Sequence, residues 1–153
     1  MSKRVLVPSV IGVVALGAIA AGGFAMASTA TSTATEPTVA NGSATYIAPS
    51  QQGAGKLSYT ADVSDDSGVR ELRVIAWPVS SELDPTEAEL RYVDKATCRS
   101  TSEETSRCTY TLKVTQQDAA DLAEGAWQVS VLATAKDGGT KFVPRAATFE
   151  VTR

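Results

Sequence analysis

Residues 57–77 read LSYTADVSDDSGVRELRVIAW, and this stretch decides the fold class. Leu57, Tyr59, Ala61 and Val63 alternate with Ser58, Thr60, Asp62 and Ser64. A period of two sends the first set to one face of an extended chain and the second to the other, which predicts a half-buried β-strand with one wet side. Asp65-Asp66-Ser67-Gly68 follows as turn chemistry, with Gly68 free to adopt positive φ. The period resumes over 69–77. Leu72, Val74 and Ala76 share one face, and Glu71, Arg73, Ile75 and Trp77 share the other.

The same reading extends toward the C-terminus. Cys108, Tyr110, Leu112 and Val114 alternate with Thr109, Thr111, Lys113 and Thr115. Thr115-Gln116-Gln117-Asp118 opens a short helix, TQQDAADLA, in capping-box style, and Gly125 is expected to end it. Trp127, Val129, Val131, Ala133 and Ala135 form another inward face, and Asp137-Gly138-Gly139 a turn. The last strand carries Ala147, Phe149 and Val151 on one side, with Pro144 at its start or at an edge bulge. Between Trp77 and Cys108 the pattern is less regular. Asp84-Pro85-Thr86-Glu87 reads as an N-cap with Pro at the first helical position, giving a helical turn over 85–90, and a weak strand follows over 91–98. Six or seven short strands separated by turn signals predict an all-β fold, a single β-sandwich of about seven antiparallel strands with one or two short helical turns.

The N-terminus speaks to compartment. Lys3 and Arg4 precede an uncharged apolar stretch, Val5 to about Gly23, and Ala25-Met26-Ala27 is a small-x-small cleavage pattern. That order is expected of a secretory signal peptide, residues 1–27, cut after Ala27. The competing reading is a retained anchor helix over Val5–Ala27, just long enough to span a bilayer. In both cases residue 28 onward lies outside. Residues 28–44, STATSTATEPTVANGSA, read as a flexible linker, within which Asn41-Gly42-Ser43 matches the short N-glycosylation pattern. The sandwich domain is then 45–153. The cleaved chain would be secreted, extracellular or cell-wall associated.

Charge and composition exclude several functions. Losing Lys3 and Arg4 takes the formal charge from −3 to −5. An acidic chain without a basic cluster is a poor partner for nucleic acid and for anionic membranes. Histidine is absent. Its absence removes Ser-His-Asp and Cys-His catalysis and most zinc sites. No cofactor is expected, and the chain reads as a non-enzyme.

Within this frame the stretch LSYTADVSDDSGVRELRVIAW, followed much later by AWQVSVLATAKDGG, resembles a bacterial immunoglobulin-like or fibronectin-III-like domain. The whole chain is similar to a family of small secreted actinomycete proteins of unknown function. The resemblance covers roughly 45–153. It implies an immunoglobulin-like sandwich in which the strand ending at Val-Ser-Asp-Asp-Ser-Gly-Val crosses to the opposite sheet. Two departures stand out. The cysteines are not placed to link the two sheets, and Thr140 follows the late turn where such domains usually carry Asn.

Four groups of residues are candidate sites. Cys98 and Cys108, the only cysteines, are expected to form one disulfide in an oxidising compartment. If flanking segments pair as a hairpin, the bridge sits at the base of a displayed polar loop, 99–107. Ile75, Trp77 and Leu132 would form an exposed apolar patch if their strands are neighbours and the opposite faces are core. The alternative is that residues 78–95 fold back over them. Asp62, Asp65, Asp66 and Asp137 could approach one another as a calcium site, though turn chemistry alone accounts for such residues. They could also supply a carboxylate pair for glycoside hydrolysis, but a sandwich of this size offers little depth for a substrate cleft.

The leading expectation is a secreted, non-enzymatic binding or cell-envelope structural module, its partner an extracellular protein or cell-wall glycan. The alternative is a hydrolase inhibitor, most naturally of a protease, presenting loop 99–107 with Arg99 or Arg107 as contacts.

Overall fold

The computed structural model describes residues 33–153. Seven strands run in the order β1 (Thr38–Ile47), β2 (Gly55–Ser64), β3 (Val69–Pro78), β4 (Thr97–Ser100), β5 (Thr105–Val114), β6 (Gly125–Ala135) and β7 (Thr140–Val151). Two short helices, α1 (Glu87–Leu90) and α2 (Gln116–Asp121), interrupt them. One antiparallel sheet has the order β1-β2-β5-β4 and the other β3-β6-β7. This is the strand order of a constant-type immunoglobulin sandwich. The Asp65–Gly68 turn carries the chain from one sheet to the other, with Gly68 at φ 91°. The expected signal peptide, residues 1–27, lies outside the described residues, as do residues 28–32 of the expected linker.

The alternating residues of the sequence build the core. Leu57, Tyr59, Ala61 and Val63 of β2 face Leu72 and Val74 of β3, with Cys108 and Val114 of β5, Val129, Val131 and Ala133 of β6, and Phe149 and Val151 of β7. Phe149 lies against Tyr46 and Trp127, ring centroids 6.5 and 5.9 Å away.

Three expectations need correction. Residues 38–44 of the expected linker belong to the sheet, because β1 already starts at Thr38. β1 is an edge strand held by its backbone ladder to β2, and most of its side chains are exposed, so its sequence shows no hydrophobic alternation. Pro37 is also buried. The first helix is capped by Thr86, not Asp84: Thr86 Oγ1 accepts from the Glu89 N–H, and the Glu89 carboxylate accepts from the Thr86 N–H. That reciprocal pair satisfies two otherwise orphaned donors. Gly125, at φ 107°, opens β6; the second helix has already stopped at Leu122.

The outer face of β3-β6-β7 is not bare, and the proposed patch of Ile75, Trp77 and Leu132 does not exist as an exposed surface. Trp77 is 5% and Leu132 2% exposed. The segment between β3 and β4 folds back over them: α1 packs on β3 and β6, with its own Leu90 and the preceding Pro85 buried. A second, smaller apolar layer therefore covers a face that alternation left pointing outward. Beyond α1, residues 94–96 run along β3, with Val74 N–H donating to Asp94 O and Ala96 N–H to Leu72 O. Arg73 and Glu71 fasten this strap. Arg73 donates to Val93 O at 2.8 Å and to Glu71, which also pairs with Lys95.

Candidate functional site

Cys98 and Cys108 are disulfide-bonded, directly opposite each other in the β4–β5 ladder. Both lie in one sheet, as the sequence departures implied. The displayed loop, however, is shorter than 99–107. β4 and β5 continue pairing past the bridge, through Arg99↔Arg107 and Ser100↔Ser106. Thr101 and Ser102 donate backbone N–H groups to Thr105 O, so only a tight turn of four residues remains. Arg107 is already engaged: its guanidinium makes two hydrogen bonds to Asp62, at 2.8 and 2.9 Å. The Arg107 contact, then an Asn41 amide, hold the Asp62 carboxyl below the usual carboxylate range.

The four acids separate into two places. Asp62 belongs to the Arg107 pair on the outer face of β2. Asp65, Asp66 and Asp137 do come together, with carboxylate oxygens within 4.8 Å of one another. Local donors already serve them. Ser67 holds the Asp65 carboxyl below its usual range, with a smaller contribution from Thr35, and Asp137 accepts from the Thr35 and Gly139 N–H groups. This cluster ties the segment before β1 to two turns.

The concavity worth attention lies on the opposite side of the sandwich. β1 and β7 close one side, where they pack on each other. On the other side β3 and β5 touch only sparsely, and a cleft of about 480 Å³ runs in between the sheets. Its lining includes the apolar Leu57, Val74, Ala76, Leu112, Val114 and Trp127, the aromatic rings of Tyr46 and Phe149, and the charged Asp94, Lys113 and Asp118. Such a volume, apolar with a few polar groups, suits a small ligand or a pair of side chains. Trp127 is anchored by donating its indole N–H to Ala123 O at 2.8 Å.

Two features make the cleft. β4 pairs only with Ser106–Thr109 of β5, because the chain upstream of Thr97 is held on β3. Leu112, which shares the core face with Cys108 and Val114, is consequently 47% exposed. Tyr110 closes the upper end, its hydroxyl reaching Asp94 at 3.4 Å; burial, then the Asp94 charge, raise its pKa. Sequence reading missed this site. Alternation placed Leu112 in the core, and nothing in the composition of 91–98 announces where β4 begins.

Residues 39–133 match a family of unknown function (DUF5707). The chain belongs to that family. The matched region runs from β1 through most of β6 and so includes the disulfide, the strap and the Leu112 wall of the cleft. No curated protein matches the chain. Among the described residues no helix is long and apolar enough to cross a membrane.

Proposed function

We propose that this DUF5707 member is a secreted, non-enzymatic binding module whose recognition site is the cleft between β3 and β5. One observation carries the reading: an apolar cavity of about 480 Å³ opens between the two sheets on the β3–β5 side. Several kinds of side chain that usually perform hydrolysis are missing from its walls. The lining holds no cysteine, serine or histidine, and its two carboxylates, Asp94 and Asp118, belong to the rim; Asp118 is committed to capping α2. A signal-like N-terminus, the resemblance to small secreted actinomycete proteins and the disulfide support an extracellular setting. A binding role also accounts for Leu112, a large apolar side chain held at a cavity mouth instead of in the core.

The test is residue-resolved NMR of the protein titrated with fractionated culture fluid and cell-wall material. Shift changes concentrated on Val74, Leu112 and Trp127 are the expected result. Changes confined to the four-residue turn and Arg99 would favour the inhibitor reading instead.

A further inference from the structure

We infer that the occupant of the cleft is an extended peptide that adds to β5 as a new antiparallel strand, in line with β4, and that carries apolar side chains alternating with an acidic one. This inference rests on the cleft being the binding site.

The backbone comes first. Exposed strand edges invite pairing with other chains, and folds normally blunt them. Most edges here are blunted. β1 is bulged between Ala40 and Ser43, β7 carries Pro144 at a bulge opposite Ser130, β4 has only four residues, and β3 is strapped by residues 94–96. The edge of β5 beyond Thr109 has no bulge, no proline and no strap. The Cα atoms of Cys98 and Cys108 are 4.0 Å apart, the close spacing of a non-hydrogen-bonded antiparallel pair. Their odd-numbered neighbours therefore direct N–H and C=O groups toward the β4 side. Past the end of β4 those residues are Thr111 and Lys113, whose N–H and C=O groups have no backbone partner on that side among the described residues.

Register then dictates side chains. A strand continuing the β4 line places one residue opposite Leu112 and another opposite Val114, and both point into the cleft. The residue between points outward, opposite Lys113. Lys113 already faces Lys56 directly across the β2–β5 ladder, and neither lysine has a carboxylate within ion-pair distance among the described residues. Like charges in that position repel. An acidic residue on the added strand would relieve them, which sets the pattern apolar–acidic–apolar.

The experiment uses the protein with a capped seven-residue peptide alternating valine and glutamate. Controls are the same peptide N-methylated at alternate amides, a valine–lysine peptide, and n-octanol as a purely apolar probe. The expected result is saturable binding with at least tenfold slower hydrogen exchange at the Thr111 and Lys113 amides. N-methylation should abolish that binding. Lys113→Glu should reverse the preference toward the lysine peptide. If the peptide leaves those two amides unprotected while octanol still shifts Leu112 and Trp127, strand addition is wrong and the cleft reading stands. If neither probe perturbs the cleft residues, both fall. Equal affinity of both peptides for the unmodified protein would refute the acidic requirement.

Discussion

The indole N–H of Trp77 donates to the Ser130 hydroxyl at 3.0 Å on the outer face of β3-β6-β7, with both residues buried. Ser130 in turn donates to Pro144 O, a carbonyl released by the β7 bulge. A chain of two hydrogen bonds thus joins all three strands of the sheet under the α1 cover. Trp77→Ala should cost about 3–5 kcal/mol, the range for emptying a buried aromatic site. Ser130→Ala should cost about 1–3 kcal/mol by leaving the indole donor unpaired. Urea unfolding measures both. A Trp77→Ala protein of unchanged stability would mean the α1 segment does not cover this face.

Reduction of the disulfide, or the double substitution of Cys98 and Cys108 by alanine, should lower stability by roughly 2.5–3 kcal/mol, the chain-entropy value for a loop of about 11 residues. The thermal midpoint should fall by around 10 °C. An unchanged midpoint would mean the bond has no part in stability.

Tyr59 is 1% exposed, and its hydroxyl has no hydrogen-bond partner. Burial pushes its pKa up to about 12. Folded and unfolded chains are both neutral at this group below about pH 10, so no stability is lost there. Between about 10 and 12 the unfolded chain releases the proton while the folded chain keeps it, and stability falls, by the order of 2–3 kcal/mol. Tyr59→Phe should be neutral or slightly stabilising at pH 7, because it removes an unsatisfied group. It should also flatten the alkaline decline in thermal midpoint between pH 10 and 12. A loss above about 1 kcal/mol at pH 7 would reveal a partner for the hydroxyl.

Gly42 sits in the β1 bulge where a Cβ would come 2.9 Å from the Tyr59 hydroxyl and 3.0 Å from Ala146 O. The carbonyl belongs to β7 and cannot retreat as a flexible side chain can. Gly42→Ala should cost about 1–3 kcal/mol, the usual range for overpacking. Combining it with Tyr59→Phe should recover part of the loss. Full additivity of the two changes would count against their contact.

Leu112 and Val114 share a strand face but differ in exposure, 47% against 2%. Leu112→Ser should therefore change stability by less than about 1 kcal/mol while removing ligand from the cleft. Val114→Ala should cost more stability and affect binding less. Calorimetry paired with NMR titration separates these outcomes; a Leu112→Ser protein that unfolds would place Leu112 in the core.

The strands were legible wherever one face is buried and the other wet. β2, β3 and β5 announce themselves through Leu57–Val63, Leu72–Ala76 and Cys108–Val114, because burial on one side forces period two. β1 was not legible, since its place at an edge demands backbone pairing and little else. The outer faces were ambiguous for a related reason. Trp77 and Leu132 signal a second apolar layer, but only the path of residues 79–96 decides whether that layer is covered. The cleft depends on where β4 begins, which is set by two backbone hydrogen bonds from the strap to β3 and has no side-chain signature.

The placement of the disulfide inside a single sheet has a mechanical consequence. Antibody-type domains clamp their two sheets covalently through the core. Here the sheets are joined only by packing and by the chain crossings, with β1 and β7 in broad contact along one side and β3 and β5 in sparse contact on the other. Spreading the sheets on the β3–β5 side breaks no covalent bond, whereas shearing β4 from β5 requires breaking a sulfur–sulfur link. The sulfur bridge therefore braces the rim of the cleft, while its span is held by packing and by the Ala96–Thr97 crossing from β3 to β4.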